Sequence, residues 1–156
     1  LLVAQGSALY GVGGLSCRIV AQEDRAEALR IFSWNLCADG EAPSDGWPAP
    51  GGGNRIAWDT AHCQRREPAG SGTGVTAAAG YFYLTAYAPA RLQVRPLAGD
   101  ATIVVRDCLG CATATDAAGG SVVFSAGGLS NGLNPCYVSA PVRRVTWSAI
   151  KGLYRP

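Results

Sequence analysis

The 156-residue sequence has no methionine, a single histidine, and charged side chains at only 15%, against the ~25% usual for soluble domains. The missing methionine predicts a processed N-terminus, with a leader peptide removed ahead of Leu1. A competing reading makes Leu1–Ala8 the tail of a signal core cut at Gly6-Ser7-Ala8, but no basic segment precedes it. The single imidazole, His62, is the only candidate histidine base, and no G-x-S-x-G elbow accompanies it. A structural or merely exposed role is therefore expected for His62, and the chain is expected not to be an enzyme. The net charge is +2, and apart from Arg65-Arg66 and Arg143-Arg144 the cations are scattered. They form no stripe that could follow a phosphate backbone, which argues against a nucleic-acid partner.

Long apolar runs are also missing. Pro68 to Ala90 is uncharged, but Ser, Thr, Gly and Pro dilute it, and its densest part, Val75–Leu84, falls short of the ~20 apolar residues a membrane span needs. A buried strand is expected there, and no span. No N-x-S/T sequon occurs, which leaves O-linked glycans on Thr113-Ala114-Thr115 as the candidate modification.

What the sequence does contain is 21 glycines, 9 prolines and 6 cysteines. An even cysteine count in a weakly charged chain of this length indicates an oxidising compartment and a single disulfide-bearing, extracellular domain. Aromatic and β-branched runs separated by Gly, Pro, Asn and Asp predict strands over Leu1–Tyr10, Ser16–Ala21, Ala28–Leu36, Arg55–Asp59, Gly80–Ala88, Arg91–Arg95, Thr102–Asp107 and Gly120–Ser125. The expected fold is all-β: an Ig-like, Greek-key β-sandwich. Ala42–Asn54 and Arg66–Gly74 are too rich in Gly and Pro for regular structure and are expected to be loops. One short helix is predicted near the end, where Trp147, Ile150 and Tyr154 share a face and Thr146 stands at the N-cap.

Cys108-Leu109-Gly110-Cys111 is a C-x-x-C. Zinc would need a second pair at matching spacing, and a thioredoxin-like motif would need to open a helix, whereas this one follows a strand. No metal or other cofactor is expected, and structural disulfides take the cysteines Cys17, Cys37, Cys63, Cys108, Cys111 and Cys136. The pairing set expected is Cys108–Cys136, Cys37–Cys63, which closes the Pro/Gly loop, and Cys17–Cys111. Asp39 and Glu41 flank Gly40 as a weak calcium-like pair without the regular spacing of a calcium loop.

The first 17 residues carry no charge. Leu1, Leu2, Val3, Leu9, Tyr10 and Val12 form an apolar strand segment, and Gly11, Gly13 and Gly14 follow as a candidate hinge before Cys17. Two readings stand open. In one, the segment is the first strand of its own sandwich and Gly13-Gly14 an ordinary turn. In the other, residues 1–15 are an arm that enters the next subunit and completes its sheet, leaving 16–156 as the sandwich body. Such contacts are heterologous and propagate into open filaments.

In this apolar, glycine-followed arm the chain resembles secreted filament and pilus subunits that polymerise by N-terminal donor-strand insertion. The ending Val145–Arg155 also resembles C-terminal tails of uncharacterised secreted bacterial proteins. The resemblance implies a head-to-tail homopolymer at the cell surface. The alternative expectation is a monomeric secreted adhesion module that contacts carbohydrate or protein through the Trp47 loop.

Overall fold

In the computed structural model, residues 2–6, 11–23, 27–65, 75–111 and 113–125 are described. They are all-β, with no helix among them. The twelve strands are β1 (Leu2–Gly6), β2 (Gly11–Val12), β3 (Gly14–Glu23), β4 (Leu29–Leu36), β5 (Gly40–Pro43), β6 (Gly53–Ala57), β7 (Gln64–Arg65), β8 (Val75–Ala86), β9 (Ala90–Arg95), β10 (Ile103–Arg106), β11 (Thr113–Asp116) and β12 (Ser121–Phe124). The helix expected around Thr146–Tyr154 lies outside the described residues. None of the described residues forms a helix long and apolar enough to cross a membrane.

One sheet has three strands in the order β1-β8-β4. A seven-stranded sheet runs β11-β10-β3-β6-β5, with β9 joining β3 and β12 joining β9, and β2 and β7 form a small ribbon. β3 organises the larger sheet. It pairs β6 over Gly14–Arg18, β10 over Gly14–Ser16 and β9 over Arg18–Glu23, all antiparallel. Its sequence explains this: Leu15, Cys17 and Ile19 are buried while Ser16, Arg18 and Val20 are half-buried, the alternation of a strand with one face on a core.

The two larger sheets share their apolar faces. Leu2, Ala4, Val75, Ala77 and Ala79 from the three-stranded sheet meet Leu15, Cys17, Ile56, Ile103 and Val105 from the other in one buried cluster. A second cluster joins Leu29 to Ile19, Ala90 and Leu92. Between the clusters stands an aromatic group in which Trp34, Trp47 and Phe82 lie 4.6–5.4 Å apart, centroid to centroid. The Trp34 indole N–H donates to Glu41 Oε2 at 2.8 Å, and buried Asn54 donates to the same oxygen at 2.7 Å.

The strands missed by sequence pattern are short ones. β2 and β7 have two residues each, and β5 and β11 four. Elements this short show no periodicity, and their ladder partners alone define them. Strand ends also move expected boundaries. β5 and β6 take the ends of the Ala42–Asn54 loop, and β11 runs through the Thr113–Thr115 segment.

Burial along β8 changes phase in mid-strand. Val75, Ala77 and Ala79 are buried and alternate with exposed Thr76 and Ala78, yet after Gly80 it is Tyr81 and Tyr83 that face solvent. At the shift the Trp34 indole lies directly on Gly80, and a Cβ there would collide with that ring and stand 2.5 Å from Asn35 O. Gly80→Ala is therefore expected to destabilise the protein by about 1–3 kcal/mol through overpacking. A urea melt reads this, and an unchanged midpoint would show that Trp34 repacks freely.

Candidate functional site

The N-terminal segment is the first candidate, and the structure pairs it within its own chain. β1 runs antiparallel to β8, with Leu2 opposite Gly80 and Ala4 opposite Ala77. Leu2 and Ala4 are buried, and Val12 is 0% exposed. Among the described residues β1 is nonetheless an edge strand, bonded to β8 and to no second neighbour in the sheet order. Val3 lies in β1, and Leu1, Leu9 and Tyr10 lie outside the described residues.

The candidate hinge sits in ladder rather than in a turn. Gly11 belongs to β2, Gly14 belongs to β3, and Gly13 between them donates its N–H to Arg106 O and accepts from Trp58 N. A Cβ on Gly13 would stand 2.6 Å from Asp107 O, so glycine here permits close backbone approach. The boundary expected after residue 15 falls inside the continuous β3.

The cysteines are arranged differently from expectation. Cys63 is bonded to Cys108, 45 residues away, so neither Cys37–Cys63 nor Cys108–Cys136 is formed. Cys17, Cys37 and Cys111 are free, which also removes the Cys17–Cys111 pair, and Cys136 lies outside the described residues. The physical reason is placement. Cys17 points into the core from β3, where burial pushes its thiol up to about 12, while the end of β10 brings Cys108 against the loop before β7.

His62 is exposed and joins two carboxylates. Its Nδ1 lies 2.7 Å from Asp39 Oδ1 and 3.4 Å from Asp59 Oδ1. Asp39 Oδ2 accepts the N–H of Asp59, and Asp59 Oδ1 accepts those of Ala61 and His62. Asp39 thus meets Asp59 and His62, while its sequence neighbour Glu41 turns to Trp34 and Asn54. The ligand-capable atoms of Asp39, Asp59 and His62 lie within 4.8 Å of one another. Sequence reading missed this group because its members come from two loops joined only by strand pairing.

The hydrogen bond and charge of Asp39 raise the His62 pKa above the 6.5 of a free imidazole. The backbone N–H of Asp59, then the His62 hydrogen bond, lower that of Asp39 below 3.8. A raised histidine contributes stability below 6.5 that is lost as pH rises through its folded value. A lowered aspartate contributes above 3.8 and loses it as pH falls through its own. The contact is thus strongest between those limits. Proton NMR titration should place His62 above 6.5, and Asp39→Asn should bring it back toward that value. An unmoved titration in the variant would remove Asp39 as the cause.

The Trp47 loop does not present its tryptophan as an outward contact. The ring is half-buried against Trp34 and Phe82, and Ser44 ties the loop's ends together through Gly53. Aromatic exposure falls instead on β4 and β8. Phe32 and Tyr83 lie 5.5 Å apart, Arg30 stands over Phe32, and Tyr81 and Tyr83 are 49% and 65% exposed. The sequence signal for this face is Tyr81-x-Tyr83, two positions apart on one strand. An open groove of about 610 Å³ between the end of β8 and β12 is lined by residues such as Leu84, Ala88, Val122 and Phe124, with no carboxylate, side-chain amide, histidine or cysteine among the described lining residues.

No family model matches this sequence, and no curated protein or solved structure is significantly similar to it.

Proposed function

We propose that this chain is a structural subunit of an extracellular filament, in which β1 exchanges from its own sheet into the equivalent place in a neighbour. The observation that carries this reading is the position of β1. Among the described strands it is an edge strand, in register with Gly80 and Ala77 of β8, and its inward side chains, Leu2 and Ala4, are buried in the core cluster with Ala77 and Ala79. An edge strand can leave without breaking a sheet in two. Every contact it makes in cis is available again in trans, so exchange costs little beyond association. One subunit's strand in the next subunit's slot makes a head-to-tail contact that does not close. In this reading the body is an Ig-like, Greek-key sandwich with the β1 slot as its acceptor groove. The disulfide accords with an extracellular location.

A second reading, a monomeric secreted adhesion module, is favoured by the exposed rings of Phe32, Tyr81 and Tyr83 on the outer face of β4 and β8. Exposed aromatic rings with polar neighbours suit the apolar faces of sugar rings. Negative-stain microscopy of native material separates the two. Long unbranched fibres are the expected result, and a uniform field of monomers at high protein concentration would discard the filament.

A further inference from the structure

The Cys63–Cys108 bond has a third cysteine three residues along the chain from it, Cys111, at the tip of the β10–β11 hairpin. We propose that Cys111 is a resolving thiol for this bond, so that the protein holds two interchangeable cross-links, Cys63–Cys108 and Cys108–Cys111.

The hairpin tip is bent to allow this. Asp107 Oδ1 accepts the N–H of Leu109 at 3.2 Å and that of Cys111 at 2.9 Å, which folds the chain back on itself. Gly110 N donates to Asp107 O, and Gly110 makes the return at a φ of 71°. The bond from Gly110 closes a turn whose ends, Asp107 and Gly110, a β-turn holds within about 7 Å, and the second bond ties Cys111 to Asp107, the residue before Cys108; cross-linked cysteines need their Cα atoms ~4.4–6.8 Å apart. Cys111 is exposed and Cys108 only half-buried, so the attacking thiol and the sulfur it would attack are both accessible.

The exchange balances without an oxidant or reductant. Cys111 gives its proton to solvent, and its thiolate attacks Cys108 Sγ. The Cys108–Cys111 bond forms as the Cys63–Cys108 bond breaks, and Cys63 leaves as a thiolate that takes up a proton. One disulfide and one thiol stand on each side.

The released sulfur has a place prepared for it. Cys63 Sγ lies 3.2 Å from Val12 O. As a disulfide sulfur it has no proton to donate to that carbonyl; as a thiol it does. Of the other free thiols among the described residues, Cys17 is buried in the core with its proton held firmly, and Cys37 follows β4. Cys111 is the one placed within the C-x-x-C.

Exchange would also touch the N-terminal segment, a consequence that rests on the filament reading while the exchange itself does not. Cys63 enters β7, whose ladder with β2 consists of Gly11 opposite Arg65 and Val12 opposite Gln64. With Cys63 released, that ribbon loses its covalent anchor and keeps its ladder and the buried Val12, next in the chain to β1.

The test is disulfide mapping of the full chain. Protein is incubated at pH 8.5, quenched in acid, denatured, alkylated with iodoacetamide and mapped by mass spectrometry without reduction. Wild type is expected to show a growing fraction labelled at Cys63 with Cys108 joined to Cys111. In Cys111→Ser, labelling at Cys63 should fall at least about tenfold, because the intramolecular nucleophile is gone. Cys63 remaining unlabelled in wild type while Cys111 is fully labelled would overturn the proposal, whatever the variant does. Equal Cys63 labelling in wild type and Cys111→Ser would overturn it too. Sedimentation of the same samples reads the polymer separately: exchange with unchanged polymer would break the link to the N-terminal segment and leave the resolving thiol standing.

Discussion

Deleting residues 1–12 is expected to abolish filaments and leave a monomer near the limit of stability, and a synthetic peptide of the same residues is expected to restore its fold in trans. The deletion removes the buried side chains Leu2, Ala4 and Val12 and leaves one edge of β8 without its partner. Burying a leucine or valine is worth about 1.5–3 kcal/mol each, and the emptied slot adds a cavity cost. The sum, roughly 5 kcal/mol or more, compares with the ~5–15 kcal/mol that holds a typical domain folded. Thermal melts with and without peptide give the readout. Recovery on adding peptide would mean the slot accepts a strand from another chain, as a filament requires. A truncated protein that melts unchanged and still polymerises would show that β1 is irrelevant to assembly.

Reduction of the Cys63–Cys108 bond should have the next largest effect. On the chain-entropy account, a closed loop set by a separation of 45 residues restricts the unfolded chain by about 4 kcal/mol. The Cys63→Ala, Cys108→Ala double variant, or full reduction, is expected to lower the urea midpoint by roughly 2 M for a slope typical of small domains. Cys63→Ala alone leaves Cys108 free to join Cys111. That short loop restricts the unfolded chain far less, so most of the loss should persist. A shift below about 0.5 M in the double variant would mean that the bond closes contacts already held by the β2–β7 and β3–β10 ladders.

The sequence by itself determined the all-β class and the approximate place of each longer strand. Alternation is local: Leu15, Cys17 and Ile19 declare an inward face whatever they pack against, and the uncharged Val75–Leu84 run declares a strand buried on one side. It also made a disulfide expected, since six cysteines in a sparsely charged chain have few other uses. Tertiary structure decided which residues meet. Register and strand order set Cys63 against Cys108 instead of Cys37, and brought His62 to Asp39 across 23 residues. They turned Trp47 inward onto Trp34 and Phe82, and they put β1 at the edge of the described strands of the β8 sheet. None of this is written in a periodicity, because pairing between distant strands is settled by the whole core at once. A one-residue slip in a strand would turn its own side chains to the opposite face and carry the loops at its ends out of place.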